Sequence, residues 1–307
     1  MIPIANTIIP IFLIISLGWF LRSRRLVTAE ILVPLNRLVY YLAIPAMIFR
    51  AVANASFAAF FSPALLAATL GPIMIVFFVA LFCGLLFSMK RKLMGTFVQS
   101  SFHGNLGYIG FAVCYYLLGE DGLTRASILA GFMMLMQNFL AVLVLQFFSG
   151  NGDIHRTPWF FMKKILGNPV ILSAVVGILF SVLEIPIGAT IDRSLEILSN
   201  MALPLALLVI GSSISFDLIK ANIGISFLTG AFKLLLLPAI GLAAYSFLAI
   251  PPEQFVPGVI LLASPTATIT YIMAGEMKGS TSLASSAISL NTLLSGVTFF
   301  FWLSLLV

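Results

Sequence analysis

Charge is what this sequence has least of. Asp, Glu, Lys and Arg together make up 8% of its 307 residues, whereas soluble domains carry about 25%. Hydrophobic residues make up 61%, more than a water-soluble core can absorb, so the solvent must be a bilayer. Cysteine is almost missing. Cys83 and Cys114 both lie in apolar segments with no metal-ligand spacing and read as packing residues. Histidine is nearly absent too. His103 is the only one in an apolar segment, and with no Asp nearby it builds no catalytic triad. No Walker-type loop is present, which argues against ATP-driven transport by this chain. No enzyme, metal site or cofactor is implied.

What is there is a series of long apolar runs. About 20 residues at 1.5 Å each span the hydrocarbon core. Cutting at charges and turn residues gives ten segments: 4–21, 31–52, 63–88, 94–118, 126–148, 165–184, 189–215, 222–249, 255–276 and 282–306. Residues 1–21 have no preceding Lys or Arg, whereas Arg22, Arg24 and Arg25 follow. That order predicts a retained first span with its N-terminus outside. The inner loops then hold eleven basic residues: Arg22, Arg24, Arg25, Lys90, Arg91, Lys92, Arg156, Lys163, Lys164, Lys220 and Lys278. The outer side holds three, Arg50, Arg125 and Arg193. The net charge of +6 is therefore a topology signal and not a nucleic-acid patch. Ten spans put both termini outside.

The chain repeats itself. "IPIFLIISLG" (9–18) lies over "NPVILSAVVG" (168–177), and "YYLAIPAMIF" (40–49) over "SNMALPLALL" (199–208), both 159 residues apart. "YYLLGED" (115–121) resembles "YIMAGEM" (271–277), 156 apart. The offset is five segments, an odd number, so the second copy enters the membrane from the opposite side. The expected fold is an all-α polytopic membrane protein of two inverted five-helix repeats, residues 1–150 and 160–307, a plan common in secondary transporters.

Polar residues mark the middle of certain segments. Gly104, Asn105, Gly107 and Gly110 interrupt the fourth, and "ASPTATITY" (263–271), with Pro265, Thr266, Thr268 and Thr270, interrupts the ninth. These places are equivalent in the two repeats, which points to a pair of broken helices at a binding site. The plainer reading is that the glycines only allow close helix packing. Asn138, Asn291, Pro45 and Pro204 share that depth. Lys233 is the only Lys or Arg near mid-depth, and all ten carboxylates lie in loops or near segment ends. The membrane centre is thus neutral to positive and suits an anion. Lys233 has two structural alternatives, backbone-carbonyl contact and snorkelling. His103 is a candidate proton site, or a satisfied structural residue.

"GNLGYIGFAVCYYLLG" (104–119) resembles the fourth span of the auxin efflux carrier family, which includes plant PIN carriers and bacterial malate and malonate permeases. "LNRLVYYLAIPAMIF" (35–49), "GNPVILSAVVGILFSVL" (167–183), "ALPLALLVIGSSIS" (202–215) and "ASPTATITYIMAGE" (263–276) are similar to other parts of the family pattern. The resemblance implies a scaffold domain from helices 1, 2, 6 and 7 and a transport domain from helices 3–5 and 8–10. Helices 4 and 9 would be broken crossover helices, and transport would be elevator-like. Ala112 stands where the family has proline, and Thr270 where the plant carriers have another. Glycines alone would then permit the first break, which is expected to be less sharp.

The reading is a permease or efflux carrier for a small organic anion, auxin-like or dicarboxylic, in a bacterial inner membrane. Asn105, Gly107, Asn138, Lys233, Pro265, Thr266, Thr268 and Asn291 would bind it. Gly104, Gly110, Ala112, Pro45, Pro204 and Thr270 would form the crossover and hinges. A cation-coupled symporter of the bile-acid type, or a ligand-binding receptor on the same fold, is the alternative. A homodimer is left open.

Overall fold

A computed structural model describes residues 2–55, 62–148 and 167–306. Arg156, Lys163 and Lys164 of the expected inner loop, and the start of the sixth expected segment, lie outside the described residues. Among the described residues every regular element is helical. The elements are α1 (Ile2–Ser23), α2 (Ala29–Leu38), α3 (Ile44–Ala53), α4 (Pro63–Leu86), α5 (Arg91–Phe102), α6 (Phe111–Phe148) and α7 (Pro169–Val182). They continue with α8 (Ala189–Ser212), α9 (Phe216–Ala221), α10 (Ile223–Gly230), α11 (Leu237–Phe247), α12 (Pro252–Ala263), α13 (Ile269–Glu276) and α14 (Thr281–Ser304). Short π-helical stretches, Val39–Ala43, Leu106–Gly110 and Ala231–Leu236, join α2 to α3, lead into α6, and join α10 to α11.

Seven helices among the described residues are long and apolar enough to cross a membrane, and α7 and α12 are shorter apolar helices. Large apolar side chains such as Leu13, Phe82 and Val297 stand exposed, as lipid-facing surfaces require. The chain is a multi-pass helical membrane protein. Among the described residues, two of the ten expected segments are not continuous helices. The fourth and ninth expected segments are broken, at 103–105 and 264–268, and the fifth runs on from the fourth. The run Leu106–Phe148 has 43 residues, about 65 Å of helix against a core of about 30 Å. Gly119 divides it with φ 72° and ψ −160°, a positive-φ conformation that essentially only glycine adopts, because it has no Cβ to clash. The chain turns back there, because Glu120 lies beside Arg50 while the carbonyl of Phe147 accepts from Arg91 at the other end.

Helix ends repeat one device. Arg25, Ser88, Glu184, Ala249 and Lys278 all have positive φ, each two residues past a helix end, and the next residue bonds back to a carbonyl five positions earlier (Leu26 to Leu21, Met89 to Gly84, Ile185 to Phe180, Ile250 to Tyr245, Gly279 to Ala274). This closes the last carbonyls of each helix. With Gly119 these six positions form three pairs, Arg25 and Glu184, Ser88 and Ala249, Gly119 and Lys278, separated by 159, 161 and 159 residues.

Packing follows the small residues. α1 and α8 cross backbone to backbone, since a Cβ on Gly211 would overlap the carbonyl of Ile15 and one on Gly18 the carbonyl of Leu208. Ser212 Oγ donates to the Gly18 carbonyl at 2.9 Å. α7 meets α3 the same way, with a Cβ on Gly177 falling 3.0 Å from Val52 Cβ and 3.3 Å from the Phe49 carbonyl. α8 also packs on α3, where Arg50 holds Asp192 through two bonds of 3.0 and 3.2 Å. Elsewhere α4, α5, α6, α11 and α12 pack on one another, and α14 packs on α5, α10, α12 and α13.

Gly211→Ala should push α1 and α8 apart. Its cost is expected at or above the upper end of the about 1–3 kcal/mol typical of overpacking, read as a lowered midpoint in thermal unfolding of the detergent-solubilised protein. Gly224, with nothing within 4 Å of an added Cβ, should accept Ala without loss. Equal effects at the two sites would contradict the packing argument.

Candidate functional site

The two interruptions meet. Gly104 and Thr266 pair as an isolated antiparallel bridge. The Asn105 N–H donates to the Pro265 carbonyl at 2.7 Å, and the Ala267 N–H donates to the His103 carbonyl at 2.9 Å. Breaking a helix in hydrocarbon strands its terminal carbonyls and N–H groups. Here each broken segment supplies what the other has lost.

Side chains from neighbouring helices complete the exchange. Gln137, buried on α6, accepts from the Gly104 N–H through Oε1 and donates to the Phe102 carbonyl through Nε2, both at 3.3 Å. Thr266 Oγ1 donates to the Ser100 carbonyl at 2.9 Å and accepts from Asn291 Nδ2 at 2.7 Å. Asn291 Nδ2 also reaches Thr229 Oγ1 at 3.3 Å. Lys233, fully buried, donates from Nζ to the Leu262 carbonyl at 2.6 Å. That carbonyl lies in the last turn of α12, where the break removes its helical donor. Of the alternatives for Lys233, the structure therefore has carbonyl contact and not snorkelling. The lysine sits in the π-helical stretch before Pro238. Proline has no N–H for the carbonyl four residues back, and that carbonyl, Leu234, accepts the Trp302 indole N–H at 2.8 Å.

The crossing is tight. A Cβ on Gly104 would lie 3.1 Å from both Lys233 Cε and Nζ, and one on Gly110 would lie 2.8 Å from Ser264 Oγ and 2.9 Å from Leu261 Cδ2. Gly107 has more room, its nearest neighbour being Met134 Cε at 3.7 Å. Several buried polar atoms at or near the crossing have no partner: Asn105 Nδ2, Asn291 Oδ1, Gln99 Oε1, Ser100 Oγ, Thr270 Oγ1 and Thr292 Oγ1.

The expected residues divide as follows. Gly104, Asn105, Lys233, Pro265, Thr266 and Asn291 come together, with Gly107 and Gly110 in the first turn beyond the break. Asn138 is half-buried, and its neighbour Gln137 makes the contacts instead. Thr268 is half-buried at the start of α13 and caps nothing with its side chain. Ala112 and Thr270 lie inside helices, past the breaks. The first break is complete without a proline, since His103 has ψ 101° and Asn105 ψ 69°, which corrects the expectation of a softer one. His103 is buried, stacks on Phe102, and lies 3.4 Å from Gln99 through Nδ1. Pro45 follows a π-helical stretch, while α8 runs through Pro204 uninterrupted.

A separate cavity of about 620 Å³ opens between α3, α6 and α8, lined among others by Met47, Arg50, Tyr116, Glu120, Asn200 and Pro204. Its polar end carries the 3.8 Å contact between Arg50 and Glu120.

Residues 3–303 match the family model described as Membrane transport protein. An uncharacterised transporter of Methanothermobacter thermautotrophicus is 25% identical over 97% of this chain and 96% of its own. A Rhizobium meliloti protein provisionally named a malonate transporter is 26% identical over 97% of this chain and 94% of its own. An uncharacterised transporter of Methanocaldococcus jannaschii is 24% identical over 98% of each.

Gln137→Leu should leave the Gly104 N–H and the Phe102 carbonyl bare, at about 1–3 kcal/mol for each buried unsatisfied group. Asn138→Leu should cost far less. Thermal unfolding of the two variants side by side checks this, and equal losses would remove Gln137 from the crossing.

Proposed function

We propose that this chain, which belongs to the Membrane transport protein family of auxin efflux carriers, is a secondary carrier of a small organic anion. Its site would be the crossing, and the observation that carries the reading is the side chain of Asn105. Its amide Nδ2 is buried and has no acceptor, beside the start of the helical run at Leu106. A buried donor without a partner costs about 1–3 kcal/mol. Helix N-termini also present free N–H groups and the positive end of a dipole. A carboxylate supplies the acceptor that both lack. Lys233 adds positive charge at this depth, and no carboxylate among the described residues opposes it at the crossing. The provisional malonate name of the Rhizobium meliloti relative agrees with an acid of this size.

The ten-helix, inverted-repeat plan belongs to the same reading. Two findings support it beyond the sequence matches. The positive-φ helix ends pair at offsets of 159 to 161 residues. Gly18 packs on the Leu208 carbonyl and Gly177 on the Phe49 carbonyl. Moving Gly18 forward by 159 gives Gly177, and moving Leu208 back by 159 gives Phe49, so one contact is the other with the repeats exchanged. We take α1, α2, α3, α7 and α8 as a scaffold and the remaining helices as the moving part. The bonds across their boundary are few and polar. They include Tyr108 to Asn36 at 2.7 Å, Thr124 to the Ala51 carbonyl at 3.2 Å and Arg50 to Glu120 at 3.8 Å. A boundary of that kind, with a cavity in it, suits an elevator-like slide. The charge bias of the loops supports an inner-membrane protein with both termini outside.

Asn105→Ala should reduce dicarboxylate or indole-acid uptake into proteoliposomes by roughly tenfold, the loss of about 1.5 kcal/mol for one bond to a charged group. Folding should be intact by size-exclusion profile. Unchanged uptake would remove Asn105 from the site.

A further inference from the structure

Two helices end at the same place in the membrane, α5 at Phe102 and α12 at Ala263. Each brings the negative end of a helix dipole and a set of carbonyls without helical donors. Lys233 Nζ is the cation at that place. It bonds the Leu262 carbonyl and packs against Gly104. One turn back on the same helix face, Gly230 lies against Asn291 Oδ1, where a Cβ would come within 2.7 Å. That amide oxygen is buried without a donor, and its own Nδ2 ties it to Thr229 Oγ1 and Thr266 Oγ1. The ammonium thus holds one broken-helix carbonyl, and an amide oxygen without a donor lies one turn away on the face it shares with Gly230. Unwound carbonyls and half-helix C-termini are the donor set that holds sodium in carriers with broken helices.

We propose that the Lys233 ammonium is a tethered cation standing where a sodium ion would otherwise bind, so that the protein needs no sodium and its removal uncovers a sodium site. The ammonium offsets the two dipole ends from a fixed position on the chain. A mobile ion would do so only at sufficient concentration. The inference goes beyond the substrate reading and does not rest on it, because it concerns ion dependence in the absence of substrate.

The test compares purified wild type with Lys233→Met, which keeps the length of the apolar stem and loses the charge. Thermal midpoints are measured in NaCl, KCl and choline chloride at equal ionic strength. The wild type should melt at one temperature in all three. The variant should melt several degrees lower in choline and recover saturably in NaCl. A variant that can be purified folded only in sodium supports the proposal equally. Sodium-specific stabilisation of the wild type would overturn it. So would a variant whose loss is the same in all three salts, or one that cannot be recovered folded in any salt.

Discussion

In hydrocarbon a broken helix has no water to turn to, and the architecture around the crossing answers that constraint. The segments interrupted at 103–105 and 264–268 are stable only because they meet. Asn105 bonds Pro265, Ala267 bonds His103, and the remaining ends go to Gln137, Thr266 and Lys233. The donors come from both broken segments, from α6 and from the π-helical stretch Ala231–Leu236, so these parts and the ends of α5 and α12 are held in register by the same few atoms. Gly104 and Gly110 follow from this closeness, since side chains there would press on Lys233 and Ser264.

A closed exchange would make only a structural knot. This one is left incomplete. Asn105 Nδ2 and Asn291 Oδ1 are buried with nothing to bond, a donor on one broken segment and an acceptor beside the other. Native interiors rarely leave such atoms unpaired without a reason. On the proposed reading the unpaired donor marks an anion subsite near Asn105, and the unpaired acceptor lies on the side of the crossing that Lys233 occupies. The cavity between α3, α6 and α8 is a different region. Its charges are mixed, because Arg50 is engaged by Asp192 and Glu120 stands at its rim, so it fits a passage better than a binding site.

Much of this was legible in residue order. Glycines, asparagines and threonines at mid-segment stand out against an apolar background, and Lys233 stands out by charge alone. Gln137 was not found, because its neighbour Asn138 carries the same chemistry and only the rotation of α6 decides which faces the break. Ala112 stands where a proline is expected, yet the helix stops ten residues earlier, at Phe102. The opposing segment offers bonds to His103 and Asn105, and that tertiary supply breaks the helix without help from proline. The contact of Gly211 with Ile15 was also hidden, since residue order does not tell such a glycine from Gly71, Gly188 or Gly224, which have open space around them. The pairing of left-handed helix ends could not be seen either, because Arg25, Ser88, Glu184, Ala249 and Lys278 are not residues that announce positive φ.

The central claim is that the crossing takes an organic anion. The most direct measurement is a ligand-stabilisation panel on the purified wild-type protein, with mono- and dicarboxylates, indole acids and amines of matched size. At least one carboxylate should raise the thermal midpoint saturably, with the matched amines inert. A panel in which only amines or metal cations stabilise the protein would contradict the account.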